Sequence, residues 1–287
     1  MTDGPILECV INFSEGRDPK KIDSLLDAAA SRAHVLDTHS DPDHNRSVLT
    51  IAGSGPQLVE AVIDIAAHAL RVLDIASHTG VHPRLGTLDV VPFVPLEQAT
   101  MAHARTAALE AARAIAAMKI PVFLYGHACD PPRELPEIRA RAFKGLEPDL
   151  GPAEPHPLAG ASVVGAREVM VAYNVNLRAP VEVARNAAGS IRKKLAHVRA
   201  LGFWLDSRRL SQVSINLLLP TTTTIAEVFD EVCRLVKTGE IVEAELVGLS
   251  PLAAFAGRDA ESVGLNSAPR ILEEELEKVF GKRYQGG

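Results

Sequence analysis

The chain has 287 residues, 47% of them hydrophobic, which is enough to bury more than one core and makes two domains or subdomains the expectation. A formal charge of -6 and a pI of about 5.9 exclude the strong basic excess of proteins whose main partner is a nucleic-acid backbone. Cys9, Cys129 and Cys233 form no CxxC pair, so neither a disulfide framework nor a cysteine zinc site is indicated.

From the N-terminus, Ile6 to Phe13 reads as a strand. A turn at Ser14-Glu15-Gly16-Arg17 and a helix from Pro19 to Arg32 follow, then short strands at Val35 to Thr38 and Ser47 to Ala52. The apolar spacing from Gly55 to Leu73 predicts an amphipathic helix. Asp89 to Val94 reads as a strand, Leu96 to Met118 as a helix and Pro121 to Tyr125 as a strand, so the order is that of a split βαβ sheet. Residues 130–157 are rich in Pro, Gly and charge and read as irregular, a substrate-facing loop or an inter-subdomain segment, with a turn of helix near Glu134 to Phe143. Glu168 to Asn176, Ser211 to Leu218 and Ala244 to Leu249 are predicted strands, with helices at Val181 to Ala200 and Thr224 to Thr238. This second β-α-β-α-β series predicts subdomains over 1-177 and 178-287. The segment Met1 to Val10 lacks a basic flank before an apolar run, and no stretch reaches the roughly 18 apolar residues of a membrane helix. A cytoplasmic protein without a membrane partner is therefore expected.

Three polar segments interrupt the apolar pattern: residues 12–17, residues 39–47 and residues 78–86. Polar loops at strand ends are where sites are built. The run His39-Ser40-Asp41-Pro42-Asp43-His44 offers metal-ligand residue types but matches neither the EF-hand nor the HExxH spacing, so no metal is predicted. His78 and His82 stand four apart, but Gly80 and Pro83 disfavour a helix there. A loop histidine beside Arg84 suits proton transfer, because imidazole titrates nearest neutrality; packing or capping a loop is the alternative. Arg46 and Arg84 are candidates for binding substrate carboxylates, the alternative being a structural ion pair to Asp43 or Asp89. Asn12, Asn45, Asn174 and Asn216 are candidates for holding amides, or else turn and strand-end residues. Gly53-Ser54-Gly55 lacks both the P-loop and the GxGxxG frame, and no GxSxG elbow occurs, which excludes nucleotide hydrolysis and serine-hydrolase chemistry.

The segments Glu8-Cys9-Val10, Asn12 to Arg17, Asp43 to Ser47, His78 to Gly86, Pro148 to Pro152, Gly165 to Arg167, Ala172 to Leu177, Gln212 to Leu217 and Glu245 to Leu252 occur in order. On these the chain resembles the glutamate formiminotransferase family, including the amino-terminal half of formiminotransferase-cyclodeaminase. The resemblance implies an α/β (α+β) fold of two ferredoxin-like subdomains, mixed sheets facing each other with helices outside, and a folate cleft between them. It further implies a homodimer, tetrahydrofolate as co-substrate, no metal, and no cyclodeaminase domain. It carries the catalytic histidine onto His82, with His78 beside it, and folate contacts onto Gly165, Ala166, Arg167, Tyr173 and Asn174. Departures from the family pattern fall at Ile11, Gly126 to Pro132, the short connection over Ser190 to Leu201, and Leu219 to Thr224. The expected reaction moves a formimino group from formiminoglutamate to N5 of tetrahydrofolate without a covalent enzyme intermediate. A formyl donor on the same scaffold, or folate binding without catalysis, are the rival readings.

Overall fold

The computed structural model describes residues 4–237 and 239–281. Both chain termini and Thr238, the expected end of a helix, lie outside the described residues. The chain divides into two compact units, Met1–Arg167 and Glu168–Gly287.

In the first unit the elements are β1 (Leu7–Phe13), α1 (Pro19–Ala30), β2 (His34–Asp41), β3 (Arg46–Gly53), α2 (Gly55–Val72), β4 (Leu88–Pro95), α3 (Met101–Ala117), β5 (Val122–Gly126), α4 (Leu135–Arg141) and β6 (Ser162–Ala166). They form a six-stranded sheet of order β2-β3-β1-β4-β6-β5. The β1–β3, β1–β4 and β2–β3 pairs are antiparallel, while β6 runs parallel to both β4 and β5. The first six elements are thus a βαββαβ ferredoxin-like unit, extended by two parallel strands. Alternation sets its faces, since successive side chains of a strand point to opposite sides. Leu7, Cys9, Ile11 and Phe13 of β1 are buried in a core with Leu49, Ile51 and Phe93, beneath α1, α2 and α3. Six residues of α3, Ala104, Ala107, Ala108, Ala111, Ala112 and Ile115, are buried there; small side chains let that helix approach the sheet closely. The other face of β1 carries Glu8, Val10 and Asn12. Over β5 and β6 that face meets α4: Ile138 and Ala142 pack with Val90, Phe123, Tyr125 and Val163.

The second unit contains β7 (Val171–Leu177), α5 (Val181–Lys194), β8 (Val198–Leu205), β9 (Leu210–Leu217), α6 (Ile225–Leu235), β10 (Ile241–Val247) and α7 (Leu272–Phe280). Its sheet has the order β10-β7-β9-β8, and all its pairs are antiparallel. It is a second ferredoxin-like unit, and its sheet is not mixed as the first one is. Val171, Tyr173, Val175, Leu177, Val213 and Ile215 build its core with α5 and α6. A capping box starts α6: Glu227 N–H donates to Thr224 Oγ1 at 3.2 Å, and Thr224 N–H donates to Glu227 Oε2 at 2.8 Å. Removing such a cap costs about 1 kcal/mol.

Three differences from the sequence reading have physical causes. The units divide at Arg167/Glu168 and not at 177/178, because β7 pairs on both sides with strands of the second sheet. The helix expected over Val181 to Ala200 ends at Lys194, and β8 begins at Val198 after His197 adopts φ 55°. Periodicity over Leu195 to Leu205 is ambiguous; pairing with β9 over the whole of β8 decides it. Strand β6 was missed because a short, fully buried parallel strand has no alternation to show.

Candidate functional site

Three loops of the first unit meet where β1 ends and β3 and β4 begin. Asn45 ties them together. Its φ is 47°, a left-handed conformation that Asn tolerates better than most residues. Its Oδ1 accepts from Gly16 N–H at 2.9 Å, its Nδ2 donates to the Thr79 carbonyl at 2.9 Å, and its own carbonyl accepts from His78 Nε2 at 2.7 Å. A Cβ on Gly16 would lie 2.3 Å from Asp41 O, and one on Gly80 2.2 Å from His44 O. Only glycine permits backbones to approach so closely.

The loop over residues 78–86 is held from within by Arg84. Its Nη1 donates to the carbonyls of His82 at 2.8 Å and Gly80 at 3.1 Å, and its Nη2 to that of His78 at 3.3 Å. Asp89, whose side chain is 0% exposed, anchors the loop's far end by accepting from Leu85 N–H at 2.7 Å. The same carboxylate takes Arg46 Nη1 at 2.7 Å and Arg139 Nη2 at 2.7 Å on Oδ2. Arg46 also donates from Nη2 to Asn12 Oδ1 at 2.9 Å. Burial pushes the Asp89 carboxyl up, but the two guanidinium groups and the Leu85 N–H together hold it at about 2.

His82 is half-buried at this centre, its ring 5.8 Å from that of His44. Its Nδ1 lies 2.8 Å from the Pro83 carbonyl. A carbonyl can only accept, so Nδ1 carries the proton and the lone pair is on Nε2. Burial first, and then the positive charges of Arg46 and Arg139, hold the imidazole well below its usual range, against the pull of Asp89. At neutral pH the ring is a neutral base. His78 is also lowered, chiefly by burial, and its buried Nδ1 has no hydrogen-bond partner.

The structure therefore brings together Asn12, Asn45, Arg46, His78, His82 and Arg84 of the expected site. For Arg46 it shows the ion pair to Asp89; Arg84 is engaged with the carbonyls of its own loop. Gly165 and Ala166 lie on β6, and Arg167 follows them, its N–H donating to the Phe93 carbonyl at 3.1 Å. Glu8 pairs with Val94 and Ala166 with Phe93, so Arg167 is in line with Glu8 across the intervening β4, and Glu8 is about 13 Å along β1 from Asn12. Buried Glu8 is pushed up to about 7 by desolvation, with Arg167 opposing. Tyr173 and Asn174 belong to the second unit. There the Tyr173 hydroxyl donates to the Val263 carbonyl within the core. Asn174 sits on the opposite sheet face, its Nδ2 donating to Glu245 Oε1 at 3.2 Å, beside Gln212. In the run 39–47, Asp41 Oδ1 accepts from the backbone N–H groups of Asp43 and His44, each at 2.8 Å. Among the described residues no group of three His, Cys, Asp or Glu is arranged to hold a metal ion.

Sequence reasoning missed Arg139, weighed His44 only as a metal-ligand residue type and named Asp89 only as an ion-pair partner. Ile138 of α4 and its C-cap Ala142 are buried on the sheet, so the turn of helix expected near Glu134 to Phe143 is a packed helix. Nothing in the sequence shows which strand its arginine reaches.

Comparison with known proteins settles the family. A model described as the formiminotransferase domain, N-terminal subdomain, matches residues 6–167, and one described as the formiminotransferase domain matches residues 172–275. The chain belongs to the formiminotransferase family. A glutamate formimidoyltransferase of Thermoplasma acidophilum is 36% identical over 96% of this chain and 98% of its own length. One of Streptococcus pyogenes serotype M1 is 34% identical over 87% and 90%. The formimidoyltransferase-cyclodeaminase of Sus scrofa is 36% identical over 87% of this chain, which spans about half, 51%, of that relative's length. The two formiminotransferase models meet between residues 167 and 172, at the boundary of the two compact units.

Proposed function

We propose that this formiminotransferase-family chain is a glutamate formimidoyltransferase, moving the formimino group of N-formimino-L-glutamate to N5 of tetrahydrofolate and releasing L-glutamate. The observation that carries the reading is the state of His82: Nδ1–H is spent on the Pro83 carbonyl, and burial, then the charges of Arg46 and Arg139, disfavour protonation of Nε2. N5 attacks the formimino carbon and its proton passes to Nε2. The tetrahedral carbon then collapses, the C=N bond re-forms, and the glutamate nitrogen leaves with the proton held by His82. One imidazole serves both transfers, and such acid/base help is worth about 10²- to 10⁴-fold. Holding the two substrates in attack geometry contributes further.

The same reading takes tetrahydrofolate as a co-substrate with contacts at Gly165, Ala166 and Arg167, and places the enzyme in the cytoplasm as a homodimer in histidine degradation. For the compartment the support is that Cys9, Cys129 and Cys233 are free thiols; no helix among the described residues is long and apolar enough to cross a membrane. The test mixes purified protein with tetrahydrofolate and formiminoglutamate and follows 5-formiminotetrahydrofolate by absorbance, with His82→Ala alongside. Product from the wild type and its loss, by about 10²-fold or more, in the variant is expected. Transfer only from formylglutamate, or folate binding without any transfer, would replace the reading with one of its rivals.

A further inference from the structure

Three arginines surround His82, and their donors are committed differently. Arg46 spends Nη1 on Asp89 and Nη2 on Asn12. Arg84 spends both terminal nitrogens on carbonyls of its own loop. Arg139 reaches Asp89 through Nη2, while its buried Nε–H has no acceptor. Asp89 itself is shared: one carboxylate faces two guanidinium groups, so one positive charge of the trio is uncompensated. A buried charge and a buried N–H left in this state are costly to the folded protein, and a bound anion relieves both.

We propose that Arg139 binds the α-carboxylate of the formimino donor, a role that rests on the transferase reading above. The chemistry selects this carboxylate. In the donor the α-carboxylate is separated by a single carbon from the nitrogen that His82 protonates. The carboxylates of tetrahydrofolate lie beyond its benzoyl ring, far from the N5 that must meet the same histidine. A guanidinium one carboxylate away from the His82 loop is therefore in reach of the donor's acid group and not of the folate tail. Helix α4 supplies the support: Ile138 and Ala142 lock it onto the sheet, so Arg139 is presented from a packed element and not from a mobile tip.

The test pairs the natural donor with N-formimino-4-aminobutyrate, which lacks only the α-carboxylate, and compares wild type, Arg139→Ala and Arg139→Lys. The wild type is expected to prefer formiminoglutamate in kcat/KM by about 10- to 100-fold. In Arg139→Ala the two donors converge, with the KM for tetrahydrofolate within about twofold of wild type; Arg139→Lys recovers part of the preference, as a single point charge lacking the planar fork would. Equal use of both donors by the wild type overturns the proposal even if the variants fail to fold. So does an Arg139→Ala enzyme that loses turnover but keeps the full preference, or one whose KM for tetrahydrofolate rises in parallel. Transfer from neither donor by the wild type would instead remove the function reading on which the proposal stands.

Discussion

Arg46 Nη1 lies 2.7 Å from Asp89 Oδ2, in a pair whose side chains are 10% and 0% exposed. This contact links the start of β3 to the start of β4, and through Leu85 N–H it fixes the end of the loop that carries His82. The ion pair is thus part of the frame of the site, and its second guanidinium, from Arg139, arrives from a helix far along the chain. Removing one member leaves charges buried without compensation, which is the case in which a buried ion pair matters most.

Asp89→Asn is expected to destabilise the protein by about 3 kcal/mol or more, because two guanidinium groups then face each other without a carboxylate. The wild-type contribution also has a pH signature. The folded carboxyl titrates at about 2 against an ordinary 3.8, so this stability is complete above the ordinary value and is lost as pH falls toward about 2. Urea unfolding at several acid pH values checks both statements; an Asn variant with an unchanged midpoint near neutrality would contradict them.

If His82 is the base proposed above, it must be neutral to accept a proton, and because its surroundings disfavour the cation the acid limb of kcat/KM is expected to lie well below the usual imidazole range. Two substitutions should move this limb in opposite directions. Arg139→Ala removes a positive charge and raises its midpoint; Asp89→Asn removes a negative charge and lowers it further. A midpoint unmoved by either would mean that another group controls the limb.

Glu8→Gln tests the buried carboxyl on β1. In the folded chain Glu8 holds its proton up to about pH 7, against an ordinary 4.5, so folding takes up a proton between these values and stability falls as pH rises through that window. The Gln variant should lack this decline. Relative to wild type it gains on the order of 1–3 kcal/mol between acid and mildly alkaline pH, measured as the difference in unfolding free energy. Parallel curves for the two proteins would show that Glu8 ionises normally.

Gly80→Ala places a Cβ 2.2 Å from the His44 carbonyl oxygen, a backbone atom of the adjoining turn that cannot step aside as a flexible side chain would. The loop must shift, and a displacement of about 1 Å at a catalytic group costs on the order of 10²-fold in turnover. Wild-type kcat in this variant would show that the docking of these two loops does not position His82.

Much of this protein was legible in the amino-acid sequence. Alternating apolar residues and amphipathic spacing located β1, β3, α2, β4 and β9, because local patterning reports which face of an element is buried. The polar loops between them marked the candidate site, and the ordered segments around His82 carried the family. What pairs with what was decided only in three dimensions. β7 reads equally well as the end of one unit or the start of the next until its partners β9 and β10 are known. Arg46 could have met a ligand or Asp89, and only the β3–β1–β4 register brings that carboxylate to it. Arg139 stands in the turn of helix expected near Glu134 to Phe143; its place beside Asp89 depends on α4 packing over β5 and β6, a long-range contact that no local period encodes.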